Sequence, residues 1–400
     1  MVSMIKQLKG KLLVVANNTW NIYNFRMHVL KKFLQEGWEI YVVARPDEYF
    51  RHLQGIPNVH FIPLNEIYRT GKNPVQDFKF LKELMRIYKN IQPDLAIHYT
   101  VKPNVYGGIA AQWVGIPYIG IITGLGYPFI HNGWLKKLTS LLYKIGLRKA
   151  KFTVFENAED PVLFQKLGIL NSKKVIALKG CGIDTQHFSP RPKTRKDRRF
   201  IFTYIGRLLY DKGLQEFVEA AGMIRKKYPS VECWIVGAPD PENPASVSFD
   251  KLTEWVFSKQ ITYFGNAKDV RPFIANSDCI VCPSYREAIP KVVQEGMAMG
   301  KPIITTDTAG CRESIEHGEE GYLVEAKSVP SLFEGMLKII AMDELDLQIM
   351  GQKGILKAEN VYEASLIAEQ VYDISIAAIN GQETVAGRVS GTKPVATNAS

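Results

Sequence analysis

The stretch Phe202-Thr203-Tyr204-Ile205-Gly206-Arg207-Leu208-Leu209-Tyr210-Asp211-Lys212-Gly213-Leu214 decides how the rest of the chain is read. An aromatic and β-branched run ends at one glycine, and a helical pattern opens behind a second. Such a run encodes a short buried strand, a turn and a helix. Glycine at the strand end lets the backbone approach a ligand, and the free N–H groups of the following helix attract an anion. Arg207 and Lys212 add two positive charges, so a diphosphate would be neutralised and held there.

Working outward, the same unit recurs. Phe202–Gly206, Cys233–Gly237, Ile261–Phe264, Cys279–Pro283, Pro302–Thr305 and Gly321–Val324 read as strands with helices between them. An earlier series runs Leu12–Ala16, Glu39–Ala44, Val59–Pro63, Leu95–His98, Tyr118–Ile122 and Phe152–Phe155, with helical patterns such as Asn24–Glu36 and Val75–Ile91. Strands alternating with helices imply parallel sheets with right-handed crossovers. Two α/β domains follow, each doubly wound and Rossmann-like, facing across a cleft at the carboxyl ends of their strands. The first spans residues 1–188. Ser189-Pro190-Arg191-Pro192-Lys193 opens a linker over 189–199, and the second domain spans 200–360. A helix over 361–379 is expected to cross back to the first domain, and 380–400, poor in apolar period, reads as a disordered tail.

Composition narrows the class. Of the 400 residues 46% are hydrophobic and 22% charged, which is globular usage. No run of apolar residues is long enough to span a bilayer, and the start lacks a signal-peptide pattern, so a cytoplasmic protein is expected. The five cysteines (Cys181, Cys233, Cys279, Cys282, Cys311) suit a reduced compartment, with Cys279 and Cys282 read as small core residues. Charge is uneven: residues 1–190 hold 25 Lys/Arg against 12 Asp/Glu, whereas 191–400 hold 25 against 28. The basic half points to a polyanion or an anionic membrane surface. No nucleic-acid-binding motif accompanies the charge, so nucleic acid is not the expected partner.

A second constellation is Pro283-Ser284-Tyr285-Arg286-Glu287-Ala288-Ile289-Pro290, leading into a helix that carries Glu295. Pro290 suits a first helical turn, and a carboxylate such as Glu295 can accept from paired ribose hydroxyls. Each residue singly also reads as a solvated surface charge.

Together the segments resemble the retaining glycosyltransferases of family 4, which have the GT-B fold. Gly206-Arg207…Lys212-Gly213, then Glu287…Glu295, then Gly300-Lys301-Pro302-Ile303-Ile304 follow that family's order and spacing over about residues 10–375. The resemblance implies that Arg207 and Lys212 hold a donor diphosphate, Glu295 the ribose and Glu287 the transferred sugar, with Gly206, Ala288, Ile289 and Pro290 around the donor. Where the family often has Glu-Gly, this chain has Glu287-Ala288, a methyl group that narrows the sugar pocket or constrains the loop. His98-Tyr99-Thr100-Val101-Lys102-Pro103-Asn104, Thr123-Gly124-Leu125-Gly126, Asn24-Phe25-Arg26 and Gly310-Cys311-Arg312-Glu313 resemble the PglA-like group. That likeness implies transfer of a hexose or N-acetylhexosamine, often N-acetylgalactosamine, from a UDP-sugar to an undecaprenyl-diphosphate-linked saccharide. It assigns Arg26, Thr100, Lys102, Asn104, Thr123, Gly124, Leu125 and Gly126 to acceptor-side loops, the last four as a flexible loop. Many family members carry a His after the strand Tyr118–Ile122; here the next His is His131, and no side-chain nucleophile or base is assigned.

The cations Arg207 and Lys212 would stabilise the departing diphosphate in place of a divalent metal, and no D-x-D segment or His/carboxylate cluster points to a metal or other cofactor. Retention by front-face attack follows from the resemblance. Trp134-Leu135-Lys136-Lys137-Leu138-Thr139-Ser140-Leu141-Leu142-Tyr143-Lys144-Ile145 places apolar residues at 134, 138, 141, 142 and 145 with Lys136, Lys137 and Lys144 between them. This basic amphipathic helix suits an anionic interface, and equally a core-facing helix with solvated lysines. A GT-B-fold UDP-sugar epimerase or hydrolase and a basic nucleic-acid-binding protein are the competing readings.

Overall fold

The computed structural model describes residues 8–67, 73–131, 133–170, 174–197 and 199–382; the expected tail falls mostly outside them. The chain divides into two compact units, one of Met1–Cys181 with Ala364–Ser400, the other of Gly182–Glu363.

The first unit holds a seven-stranded sheet: β1 (Lys11–Asn18), β2 (Glu39–Arg45), β3 (Val59–Pro63), β4 (Leu95–Tyr99), β5 (Tyr118–Ile122), β6 (Phe152–Phe155) and β7 (Val175–Ala177). Their order is β3-β2-β1-β4-β5-β6-β7, with all pairings parallel. Both faces are covered, which explains the near-continuous apolar runs. Leu12, Val14 and Ala16 pack with Phe33 of the helix Met27–Gln35 and with Ile367, Val371 and Ile374 of the helix Ala364–Ile379. Leu13 and Val15 point the other way, onto Phe80, Leu84 and Tyr88 of the helix Pro74–Ile91. The expected helix 24–36 is broken at Arg26, whose φ of −128° ends the helix Thr19–Phe25 and starts Met27–Gln35.

The second unit holds β8 (Phe200–Ile205), β9 (Val231–Val236), β10 (Thr262–Tyr263), β11 (Cys279–Cys282), β12 (Ile303–Thr306) and β13 (Gly321–Val324), ordered β10-β9-β8-β11-β12-β13 and again all parallel. The chain winds outward from β8 to β9 and β10, then returns to the other side of β8 as β11. That reversal leaves a crevice beyond the carboxyl ends of β8 and β11, where open α/β sheets take ligands. All five cysteines are buried thiols, Cys279 in one core layer and Cys282 in the other.

The stretch 189–199, expected as a linker, is part of the second unit. Ile183 N–H donates to Tyr362 O at 2.7 Å, and Phe188 packs in the core with Val293 and Tyr362. Further on, Arg195 pairs with Asp278 at 2.6 Å and Thr194 N–H reaches Asn276 Oδ1 at 2.9 Å. Prolines and charges marked an extended segment; side-chain pairs with the start of β11 fasten it.

Candidate active site

β8 ends at Gly206 and β9 at Gly237, whose φ of +145° suits glycine; a Cβ at Gly237 would lie 1.8 Å from Gly206 O. This close approach forms the floor of the crevice. Beyond it the chain turns through Arg207, and Tyr204 Oη donates to the Arg207 carbonyl at 2.7 Å. The Arg207 guanidinium reaches outward, 46% exposed, and pairs with Asp240 from the loop after β9 at 2.8 Å.

A 3-10 turn, Tyr210–Lys212, follows, and Gly213 opens the helix Leu214–Lys227 with a φ of +68°. Here the loops after β8 and β11 meet. A Cβ on Gly213 would come within 2.0 Å of Pro283 O, and Tyr285 N–H donates to Asp211 O at 3.0 Å. The Tyr285 hydroxyl adds a bond to Glu216 at 2.6 Å. The consequence is electrostatic: Lys212 Nζ donates to Glu287 Oε1, joining residues from different loops. A third loop supports the second. Glu287 N–H donates to Ala309 O at 3.2 Å, and a Cβ on Gly310 would fall 1.5 Å from Ala288 O. Cys311, beside Gly310, is buried with its thiol against Cys282.

Ala288 and Ile289 are buried, and Pro290 precedes the helix Lys291–Ala298. Neither this helix nor Leu214–Lys227 has a side-chain N-cap, and a helix start of that kind suits an anion. Glu295 lies just over one turn into its helix, half-buried, with no side-chain hydrogen bond among the described residues. Burial pushes its carboxyl up to about 7, against the lowering pull of Lys291. The second unit thus gathers Gly206, Arg207, Lys212, Glu287 and the mouth of the Glu295 helix at one crevice. Sequence reading missed Asp240, Asp211 and Gly237; the glycine closing β9 was the available signal.

In the first unit the expected acceptor-side residues occupy varied settings. Arg26 is buried, bonded to Glu156 Oε1 at 2.6 Å and stacked over Tyr99 at 4.2 Å. Asn104 is buried and donates to Thr100 O at 2.7 Å and Ile121 O at 2.8 Å. Lys102 pairs with Asp77 at 2.8 Å, and Thr100 adopts a φ of +70°. Gly124 and Gly126 turn with positive φ around Leu125, which packs with Ile122, Phe129 and Phe155 and so pins the loop at its centre. His98 is a core residue whose Nε2 meets Tyr88 Oη at 2.8 Å; burial pushes its pKa down to about 3.

The helix Trp134–Leu147 turns Thr139, Tyr143, Gly146 and Leu147 inward. Trp134, Leu138, Leu141 and Ile145 form an exposed apolar stripe instead of a core face. Leu142 alone of the expected apolar set leans on the core. Lys136, Lys137 and Lys144 border an open groove of about 740 Å³ that Leu141, Leu167 and Ile169 also line. Among the described residues no helix is long and apolar enough to cross a membrane.

Two parallel-sheet Rossmann-like units, one with cation–carboxylate pairs and helix starts without side-chain caps at its switch point, define the GT-B class of fold. Crystal structures with this fold include Anabaena Alr3699/HepE in complex with UDP, with a TM-score of 0.73 at 17% identity over 90% of this chain and 98% of that one. Sucrose-phosphate synthase from Thermosynechococcus elongatus matches with a TM-score of 0.79 at 16% identity, over 93% and 100% of the two chains. The chain belongs to the glycosyltransferases: residues 186–355 match the family Glycosyl transferases group 1, and residues 11–157 the family Glycosyl transferase 4-like. Among characterised relatives, the N,N'-diacetylbacillosaminyl-diphospho-undecaprenol alpha-1,3-N-acetylgalactosaminyltransferase of Campylobacter jejuni is 29% identical over 87% of this chain and 93% of its own length. The UDP-Gal:alpha-D-GlcNAc-diphosphoundecaprenol alpha-1,3-galactosyltransferase of Escherichia coli is 24% identical over 70% and 74%.

The loop contact at Gly213 is testable. Gly213→Ala places a methyl group against the Pro283 carbonyl and is expected to lower stability by roughly 2 kcal/mol or more. Gly265→Ala has a similar φ of +73° but open space around it, and should cost about 1 kcal/mol. Equal thermal unfolding midpoints for the two variants would show that the close approach carries no weight.

Proposed function

We propose that the chain transfers a hexosyl or N-acetylhexosaminyl group, N-acetylgalactosamine being the best match, from a UDP-sugar to an undecaprenyl-diphosphate-linked saccharide, with retention of anomeric configuration. The observation that carries this reading is the meeting of Lys212 and Glu287 at the switch point, beside Arg207 and two helix starts without side-chain caps. The Campylobacter relative, aligned over nearly its whole length, supports the acceptor class and the sugar.

In this reading Arg207, Lys212 and the N–H groups at Leu214 and Lys291 hold the diphosphate. As the C–O bond to the leaving phosphate breaks, the charge left on its oxygen is met by these fixed donors, without a divalent metal. The acceptor hydroxyl attacks the anomeric carbon from the same face and gives its proton to the departing phosphate. Glu287, already bonded to Lys212, accepts from hydroxyls of the transferred sugar, and Glu295 accepts from the ribose. The exposed stripe of the helix Trp134–Leu147 with its lysines supports docking at an anionic membrane surface, where the lipid-linked acceptor resides.

The deciding experiment is a donor panel with an undecaprenyl-diphosphate saccharide as acceptor. Product should form with UDP-N-acetylgalactosamine, and turnover should fall about 10²-fold or more in Arg207→Ala and Glu287→Gln with unfolding midpoints retained. Full activity in either variant would remove that residue from the site. UDP release or a new hexosamine without acceptor would mark an epimerase or hydrolase.

Glu295 sets a pH dependence. Its carboxylate form accepts ribose hydroxyls, so UDP affinity should rise as pH increases through about 7 and level off above it. Calorimetric titration of Glu295→Gln should show a flat profile across the same range; a profile as steep as the parent's would exclude the role. For the membrane, co-sedimentation with phosphatidylglycerol vesicles should be lost when Lys136, Lys137 and Lys144 are all changed to Glu. Binding unchanged by that charge reversal would exclude the helix as the docking surface.

A further inference from the structure

The loop after β9, Ala238-Pro239-Asp240-Pro241-Glu242-Asn243-Pro244-Ala245, is stiff by composition and by bonding. Proline fixes φ at three of its eight positions. Asn243 N–H donates to Asp240 O at 2.7 Å, and Ala245 N–H donates to Asn243 Oδ1 at 2.9 Å. Asp240 N–H donates to Ser246 Oγ at 3.0 Å. The same loop is knitted to the turn that carries Arg207. Leu208 N–H donates to Ala238 O at 3.0 Å, Tyr210 N–H to Ala245 O at 2.8 Å and Val247 N–H to Leu208 O at 3.0 Å, with Leu209 and Ser246 bridged antiparallel between them. None of these bonds uses the Asp240 carboxylate.

That carboxylate is 8% exposed, and its Oδ2 accepts from Arg207 Nη1 at 2.8 Å. A carboxylate is costly to bury unless it is paired, so a braced loop and a buried charge together fix where the Arg207 head group sits. The bond occupies one corner of the guanidinium. Nε and Nη2, which share an edge of the plane, make no hydrogen bond among the described residues, and the Arg207 side chain is half-exposed there. Such an edge is the fork that matches two oxygens of one phosphate.

We propose that Asp240 is a positioning residue, which holds Arg207 by Nη1 and so presents the Nε–Nη2 edge to a phosphate of the nucleotide donor. The proposal rests on the diphosphate role given to Arg207 above. An unrestrained arginine at a surface searches many rotamers and loses them on gripping a ligand; one pinned to a stiff loop has lost them already. The negative charge of Asp240 opposes the attraction of Arg207 for an anion. Solvent screens that charge at a half-exposed pair, whereas a two-pronged bond requires the plane to be aimed, so orientation outweighs the charge. A lysine in place of Arg207 would have a single ammonium to divide between Asp240 and the phosphate, which is the physical reason for arginine here.

Calorimetric titration of the full-length protein with UDP tests the assignment. Asp240→Ala should weaken UDP binding about tenfold, and Asp240→Asn, whose amide oxygen still accepts from Nη1, should recover most of that loss. In an Arg207→Ala background Asp240→Ala should have no further effect, because it acts through Arg207. Arg207→Lys should bind UDP about as weakly as Arg207→Ala. Equal and additive losses in both backgrounds, with a lowered unfolding midpoint, would make Asp240 a brace of the loop alone and overturn the proposal. Tighter UDP binding in Asp240→Ala would also overturn it, since Asp240 would then compete with the phosphate for the guanidinium. If Arg207→Ala binds UDP as the parent does, the diphosphate role of Arg207 falls and this proposal with it. If Arg207→Ala binds weakly while Asp240→Ala matches the parent, the role of Asp240 alone falls.

Discussion

Much of the second unit depends on how closely two loops can approach. The loops after β8 and β11 arise from strands that are neighbours in the sheet but about eighty residues apart in sequence. With no side chain at Gly213, the backbone can rest against the Pro283 carbonyl, and the Tyr285 N–H then finds the Asp211 carbonyl. Lys212 and Glu287 are brought together by that backbone contact; two flexible side chains on separate loops would otherwise spend entropy to pair. Gly310 repeats the device on the far side of Glu287, which is therefore held from its own backbone and from two neighbouring loops.

The two units solve the placing of charge differently. At the crevice of the second unit two cations already have carboxylates, Arg207 with Asp240 and Lys212 with Glu287, while Glu295 is half-buried with a raised pKa and, among the described residues, no side-chain hydrogen bond. That asymmetry suits a ligand bearing both a diphosphate and hydroxyls. In the first unit the basic residues of the helix Trp134–Leu147 border an exposed apolar stripe. At the ends of β1 and β2 the carboxylate of Asp47 instead accepts from Thr19, Trp20 and Tyr49 and ties the two segments together.

Several residues read from sequence as acceptor loops have structural work that a linear motif does not display. Arg26 interrupts a helix and spends its charge on buried Glu156, and Asn104 bonds the carbonyls of Thr100 and Ile121. Leu125 anchors the loop that carries it.

By itself the sequence determined the alternation of strands and helices, the parallel sheets and the Gly206-Arg207, Lys212-Gly213 and Glu287…Glu295 segments, since local periodicity and turn chemistry are written in neighbouring residues. It did not determine that 189–199 is fastened to the start of β11, that Arg207 takes Asp240 as partner, or that Trp134, Leu138, Leu141 and Ile145 face outward. Those outcomes rest on contacts between residues tens of positions apart and on which face of an element its neighbours leave uncovered. Only the packed tertiary structure decides them.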